Sequence, residues 1–217
     1  MNWLRLLIVF FFCTPVFGQD LGPEELVKKV TSEVMDTIKS DKQLAAGDRQ
    51  RAIKVAEEKI LPHVDFEEAT RLAVGRAWAQ ATPEQKKKLV GEFRNMLVRT
   101  YSNALQPYEG QQMKVLPVRM KPGDAEVTVR NQFIRSGGKP VLLDYSMRKT
   151  DKGWKIYDIV VEGVSLVLTY RSEFDAVVKQ EGVDGLIKRL AQKNSPAAVG
   201  GTATPEKKAT PEKKAAK

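Results

Sequence analysis

The chain has 217 residues, a formal net charge of +9, one cysteine and one histidine. So few cysteines and histidines leave no thiolate cluster and no set of the three or four ligands that a protein zinc site takes. Charges of both signs are spread along the chain, so the basic excess fits anionic headgroups or acidic protein surfaces, not the concentrated phosphate-binding patch of a nucleic-acid binder.

Residues 1–18 read as a secretory leader. Arg5 is followed by the apolar run Leu6–Phe12, and cutting is expected after Gly18. A run that short falls well below the ~20 apolar residues that span a bilayer. Removal of the leader takes away Cys13 and leaves no cysteine in the mature chain. Residues 196–217 contain five lysines, two glutamates and two tandem copies of ATPEKK, at Ala203–Lys208 and Ala209–Lys214. Nothing there is large enough to anchor a core, so this segment is expected to be a disordered tail. Between the two lies one domain, residues 19–195. At this size it buries most of its unfolded surface without needing disulfides.

Pro23 opens a helix in which Leu26, Val27, Val30, Val34 and Ile38 recur at helical spacing. A second helix starts near Asp48, with Ala52, Ile53, Ala56 and Ile60 on one face, and stops before Pro62. Asp65 reads as the N-cap of a third, with Glu68 completing a capping box. A fourth begins at Thr82-Pro83-Glu84-Gln85. Its stripe of Leu89, Phe93, Met96, Leu97, Tyr101, Leu105 and Tyr108 predicts about 24 residues, ending near Gln106 and ~36 Å long.

After Gly110 the period changes to alternation, which predicts strands at Gln112–Arg119, Asp124–Arg135, Val141–Lys149 and Trp154–Val161. The turn Asp151-Lys152-Gly153 sets Thr150 against Gly153, Met147 against Ile156 and Tyr145 against Asp158. Val141, Leu143, Tyr145, Met147, Trp154, Ile156 and Val160 then share a face. Val127, Val129 and Phe133 join them if the loop near Gly137-Gly138 has odd length, expected as three or five residues. In the last strand Tyr157, Ile159 and Val161 are also apolar, so both of its faces need apolar company. Two more helices are expected, over Ser165–Gln180 and Val183–Lys193.

Enzyme chemistry finds few candidates. His63 reads as a boundary residue at a helix junction, and Ser165 as an N-cap, since Gly163-Val164-Ser165 lacks the closing glycine of a nucleophile elbow. Asp144 and Asp158 fall on opposite faces of the sheet. Asp158 sits on an otherwise apolar face, where a charge needs a partner such as the Tyr145 hydroxyl or Arg130. What remains is an excess of apolar surface. It is met either by a filled core or by a cavity between the sheet and the long helix, whose tyrosines at 101, 145 and 170 would suit a mostly apolar pocket.

Four blocks carry a family resemblance. They are HVDFEEATRLAVGRAW at His63–Trp78, ATPEQKKKLVGEFRNMLVRTYSNAL at Ala81–Leu105, VLLDYSMRKTDKGWKIYD at Val141–Asp158, and GWKIYDIVVEGVSLVLTYRSEF at Gly153–Phe174. In order and wording they resemble the MlaC, or toluene-tolerance, family of periplasmic phospholipid carriers; only the Lys-rich tail departs from the pattern. The resemblance implies an α+β fold: a curved antiparallel sheet of about four strands packed against helices, with a hydrophobic lipid-binding cavity between them. It implies a soluble periplasmic carrier without catalytic activity and without a cofactor, whose cargo is a bound phospholipid. The implied partners are an outer-membrane lipoprotein complex and an inner-membrane ABC transporter with a lipid-binding periplasmic subunit, with transient membrane-surface contact and no nucleic acid.

Moving on the order of thirty chain carbons into water at ~0.8 kcal/mol each would cost roughly 20 kcal/mol or more, so such a carrier must cover the tails. A cavity toward the upper end of the ~300–1,000 Å³ range follows. The residues expected on its wall are Phe93, Leu97, Tyr101, Tyr145, Ile156, Val164, Val167 and Phe174. Two other readings stay open: a small cone-shaped enzyme acting on a hydrophobic substrate, with Asp158 as its acid or base, and a basic adaptor without cargo.

Overall fold

The computed structural model describes residues 21–102, 112–134 and 138–195. The expected leader and tail lie outside them, as do the predicted end of the long helix at Gln106 and most of the loop around Gly137. Among the described residues no helix is long and apolar enough to cross a membrane.

The N-terminal half is helical. Helix α1 (Pro23–Ser40) starts on a proline and carries Glu24 and Glu25 in its first turn, where acidic side chains complement the helix dipole. A short α2 (Lys42–Ala45) and α3 (Arg49–Lys59) follow, capped by Asp41 and Asp48. A 3₁₀ turn, Leu61–His63, leads into α4 (Phe66–Val74) and a short α5 (Ala77–Gln80). Helix α6 (Pro83–Tyr101) has the expected reciprocal capping box: Gln85 N–H donates to Thr82 Oγ1 at 3.2 Å, and Thr82 N–H to Gln85 Oε1 at 2.9 Å. The box expected at Asp65 is only half formed. Glu68 N–H donates to Asp65 Oδ1 at 3.0 Å, but the Glu68 carboxylate takes Arg71 and Arg148 instead of reaching back. The Asp65 N–H bonds the carbonyl of Ile156 at 2.8 Å.

The second half is an antiparallel sheet in the order β1-β2-β3-β4-β5: β1 (Gln112–Val115), β2 (Glu126–Ile134), β3 (Val141–Thr150), β4 (Gly153–Val161) and β5 (Val164–Ser165). The fold is α+β, with one more strand than predicted because the chain turns back at Glu162-Gly163. β1 is shorter than predicted. Pro117 has no N–H for the ladder, and the next N–H, of Val118, goes to Glu24 Oε2 on α1 at 2.9 Å. The β2–β3 register pairs Val127 with Met147, Val129 with Tyr145 and Phe133 with Val141, the face sharing expected of an odd loop, but seven residues separate the last pair where three or five were expected.

The β3–β4 register holds only in part. Thr150 pairs with Gly153 and Met147 with Ile156, but a bulge follows, and Ser146 pairs with Asp158, Tyr145 with Ile159, and Leu143 with Val161. The extra residue, Tyr157, shifts every later side chain to the other face. Tyr145 is therefore opposite Ile159, not Asp158. Val160 leaves the inner face, and Ile159 and Val161 join it.

The chain closes with α7 (Leu166–Thr169) and α8 (Arg171–Lys193). Ser165 caps α7, its Oγ accepting from Leu168 N–H at 2.9 Å. The interruption at Tyr170 was not predicted; the one expected between Gln180 and Val183 is a kink at Gly182, whose φ of 70° and ψ of −177° favour glycine.

Three apolar clusters hold these elements together. Leu26 and Val27 of α1 pack with Val129, Met147 and Trp154 of the sheet. Val34 and Ile38 pack with Leu44, Ala52 and Val55. The largest joins α4, α6, α7 and α8 through Ala69, Leu89, Phe93, Val167, Phe174 and Leu190. A domain usually has one contiguous core. Here the described residues form three clusters around an open space, two of them bridged by the half-buried Val30.

Candidate functional site

That space is a cavity of about 440 Å³. Its walls come from all three clusters: Leu26, Val27 and Val34 of α1, Ala69 of α4, and Val167 of α7. Ile60, Val64 and Phe66 add the 3₁₀ region and the start of α4, Leu97 and Val98 the end of α6, and Leu143, Ile156, Ile159 and Val161 the sheet. The volume sits in the lower half of the ~300–1,000 Å³ range, not toward its upper end. The apolar face of α1 lines this space through Leu26, Val27, Val30 and Val34.

Five of the eight residues expected on the wall are there: Leu97, Tyr101, Tyr145, Ile156 and Val167. Three are placed elsewhere. Phe93 and Phe174 are fully packed core, stacked edge-to-face with ring centroids 5.4 Å apart. Tyr170 meets Phe93 edge-on, also at 5.4 Å. These rings hold α6 against α8, behind the wall. Val164 is 60% exposed, because β5 is an edge strand whose side chain at this position points outward. The residues that sequence reasoning missed include those of α1 and α3, whose apolar stripes were visible but gave no sign of facing a void, Phe66, Val98 and Leu143, and Ile159 and Val161, hidden by the bulge.

Few polar groups reach the cavity. His63 lines it, and desolvation, with the Lys155 charge nearby, pushes its pKa down. Thr31 Oγ1 and Tyr145 Oη both donate to Met113 Sδ, at 3.5 and 3.9 Å. Burial pushes the Tyr145 phenol up to about 12. Where α6 ends, Tyr101 Oη and Tyr170 Oη are 3.4 Å apart, and burial raises the Tyr170 pKa.

Asp158 also lines the cavity, but its expected partners, the Tyr145 hydroxyl and Arg130, are not the ones it takes. It accepts from Ser165 Oγ, from Val167 N–H at 3.1 Å and from Ile159 N–H at 2.8 Å. Its carboxylate is used to tie α7 to β4. Among the described residues no group of three or more His, Cys, Asp or Glu is placed to hold a metal ion. The arrangement offers a sequestered apolar volume with a few weakly engaged hydroxyls, which suits holding hydrocarbon.

A profile of the MlaC protein family matches residues 28–192. The chain belongs to the MlaC family. The match takes in α1 to α8 and every wall of the cavity except the first residues of α1. The MlaC binding protein of the intermembrane phospholipid transport system of Haemophilus influenzae is 23% identical over 195 residues, which span 88% of this chain and 91% of that protein. The toluene tolerance protein ttg2D of Pseudomonas putida is 22% identical over 182 residues, 83% of each chain. A solved structure of a phospholipid-binding protein from Ralstonia solanacearum, in complex with a phospholipid, shares this MlaC-family fold. It aligns with a TM-score of 0.75 at 37% identity, over 82% of this chain and 99% of that one.

Proposed function

We propose that this protein is a periplasmic carrier that shelters the acyl chains of a phospholipid in the cavity between sheet and helices and moves the lipid between the two membranes. The observation that carries the reading is the cavity itself, apolar and walled by residues of three clusters, in a chain 37% identical to a protein solved with phospholipid bound. A protein whose core was filled would favour the cargo-free adaptor. The enzyme reading needs Asp158 as an acid or base, and that carboxylate is engaged in capping α7.

The tails are proposed to contact Leu97, Tyr101, Tyr145, Ile156 and Val167, with Ile159, Val161 and the inward face of α1. Residues 1–18 are proposed as the export signal, and residues 196–217 as a basic tail that folding and cargo binding do not require. The proposed partners are an outer-membrane lipoprotein complex that gives or receives lipid and an inner-membrane ABC transporter with a lipid-binding periplasmic subunit.

The test is transfer. Donor vesicles carrying a fluorescent diacyl phospholipid are mixed with unlabelled acceptor vesicles, with and without the mature protein. The carrier reading expects transfer to accelerate in proportion to protein concentration. Transfer no faster than the spontaneous rate, at any concentration of folded protein, would overturn it.

A further inference from the structure

One interruption of the apolar wall lies where α1, β1 and β3 come together. Thr31 Oγ1 and Tyr145 Oη both donate to Met113 Sδ, at 3.5 and 3.9 Å, and all three side chains line the cavity. A thioether sulfur is a weak acceptor, so two hydroxyl donors share one poor partner. Burial holds the Tyr145 proton in place up to about 12, so this group stays a donor at any ordinary pH.

The same patch of sheet has a third polar side chain. Asn131 pairs with Leu143 on one side and Val115 on the other, two positions along β2 from Val129, the partner of Tyr145. It is fully buried; its Nδ2 donates to the Val129 carbonyl at 2.9 Å, while its Oδ1 has no partner among the described residues. A wall selected only to repel water would place phenylalanine and valine at positions 145 and 31, since a buried hydroxyl without a good acceptor is unfavourable.

For the Thr31 and Tyr145 hydroxyls the missing element is an acceptor oxygen carried by an otherwise apolar ligand; the Asn131 Oδ1 is itself an acceptor, does not line the cavity and does not call for one. Hydrocarbon tails have none, and a headgroup phosphate brings a charge that this wall has no cation to meet. The acyl ester, between tail and headgroup, carries a neutral carbonyl acceptor. We infer that the hydroxyls of Tyr145 and Thr31 donate to an ester carbonyl oxygen of the bound lipid, so that the protein selects acyl-ester lipids over ether-linked lipids of the same length. This rests on the phospholipid cargo proposed above.

Delipidated mature protein is offered an equal mixture of diacyl and dialkyl phosphatidylethanolamine of matched chain length, and the bound lipid is quantified by mass spectrometry. The ester form is expected to be favoured by about five-fold, the worth of one neutral hydrogen bond. Tyr145→Phe, which removes only the hydroxyl, should bring the ratio close to one, and Thr31→Val should reduce it. With carbonyl-labelled ester lipid, the infrared carbonyl band of the bound lipid should lie at lower wavenumber in the wild type than in Tyr145→Phe. Equal loading of both lipids by the wild type, or a preference and band position unchanged in Tyr145→Phe, overturns the inference while leaving the carrier reading standing. Loading of neither lipid overturns both.

Discussion

Asp158 is a buried carboxylate whose oxygens accept from β4, from Ser165 at the end of β5 and from the first turn of α7. Its bonds to Ser165 Oγ and Val167 N–H fix where α7 begins, and Val167 is a wall residue. Hydrogen bonds to a charged group are worth about 1.5–3 kcal/mol, and their loss here also leaves the Val167 amide of α7 unmet. Asp158→Ala is expected to lose about 2–3 kcal/mol, read as a fall of roughly 4–10 °C in melting temperature. A melting temperature unchanged within error would show that the cap is not structural.

Acid sensitivity is expected at a second carboxylate. Arg71, by hydrogen bond and then by charge, with Arg148 adding to it, holds Glu68 below its ordinary value of 4.5. A carboxylate with a depressed folded pKa stabilises the protein fully above its unfolded value and loses that contribution as pH falls through the folded one. Urea midpoints should thus be flat with respect to this group above pH 4.5 and decline below it. The decline should be shallower in Arg148→Ala, which removes a partner shared by Asp65 and Glu68.

At the scale of elements, the caps and periods were legible and the bulge was not. Thr82, Asp48, Asp65 and Ser165 announce helix starts because side-chain acceptors for free N–H groups are local features. The β2–β3 register follows from alternation. In β4, by contrast, Ile156, Tyr157, Ile159, Val160 and Val161 are apolar on both sides of any bulge, so no pattern tells which of them faces inward. Only pairing with β3 decides it. The loss of Phe93 and Phe174 from the wall has a similar cause: an apolar stripe shows that a helix face is covered, not whether side chains or a void cover it.

Two tests belong to this scale. Ile159 faces the cavity because of the bulge, so Ile159→Trp should fold with a stability change under about 1 kcal/mol, since overpacking a filled core costs ~1–3 kcal/mol and filling a void need not. The same variant should retain little co-purifying lipid. A large loss of stability would mean that Ile159 is packed as core. Gly182 tests strain without a clash: a Cβ there meets nothing within 4 Å, yet its φ is 70° and its ψ −177°. Gly182→Ala should cost about 1–3 kcal/mol by urea denaturation from backbone conformation alone, whereas a neutral result would mean that α8 straightens freely.

For the whole molecule, the family and the α+β fold were legible from blocks of sequence that lie within the matched residues 28–192, while the cavity was legible only through that resemblance and not from composition or periodicity. Composition gives enough apolar residues for either one filled core or several cores around a space. The distinction rests on how helices and sheet meet, through contacts remote in sequence such as Leu26 and Val27 of α1 with Val129, Met147 and Trp154 of the sheet. With about 440 Å³ open, the cavity is smaller than two full tails would suggest.

The central claim is that the open space belongs to a lipid. Native mass spectrometry of the mature protein, purified from the periplasm without detergent, tests it most directly. The account predicts a species heavier than the polypeptide by the mass of one phospholipid, released on activation and much reduced in Ile159→Trp. A spectrum holding only the bare polypeptide, from protein that also takes up no phospholipid when incubated with vesicles, would contradict it.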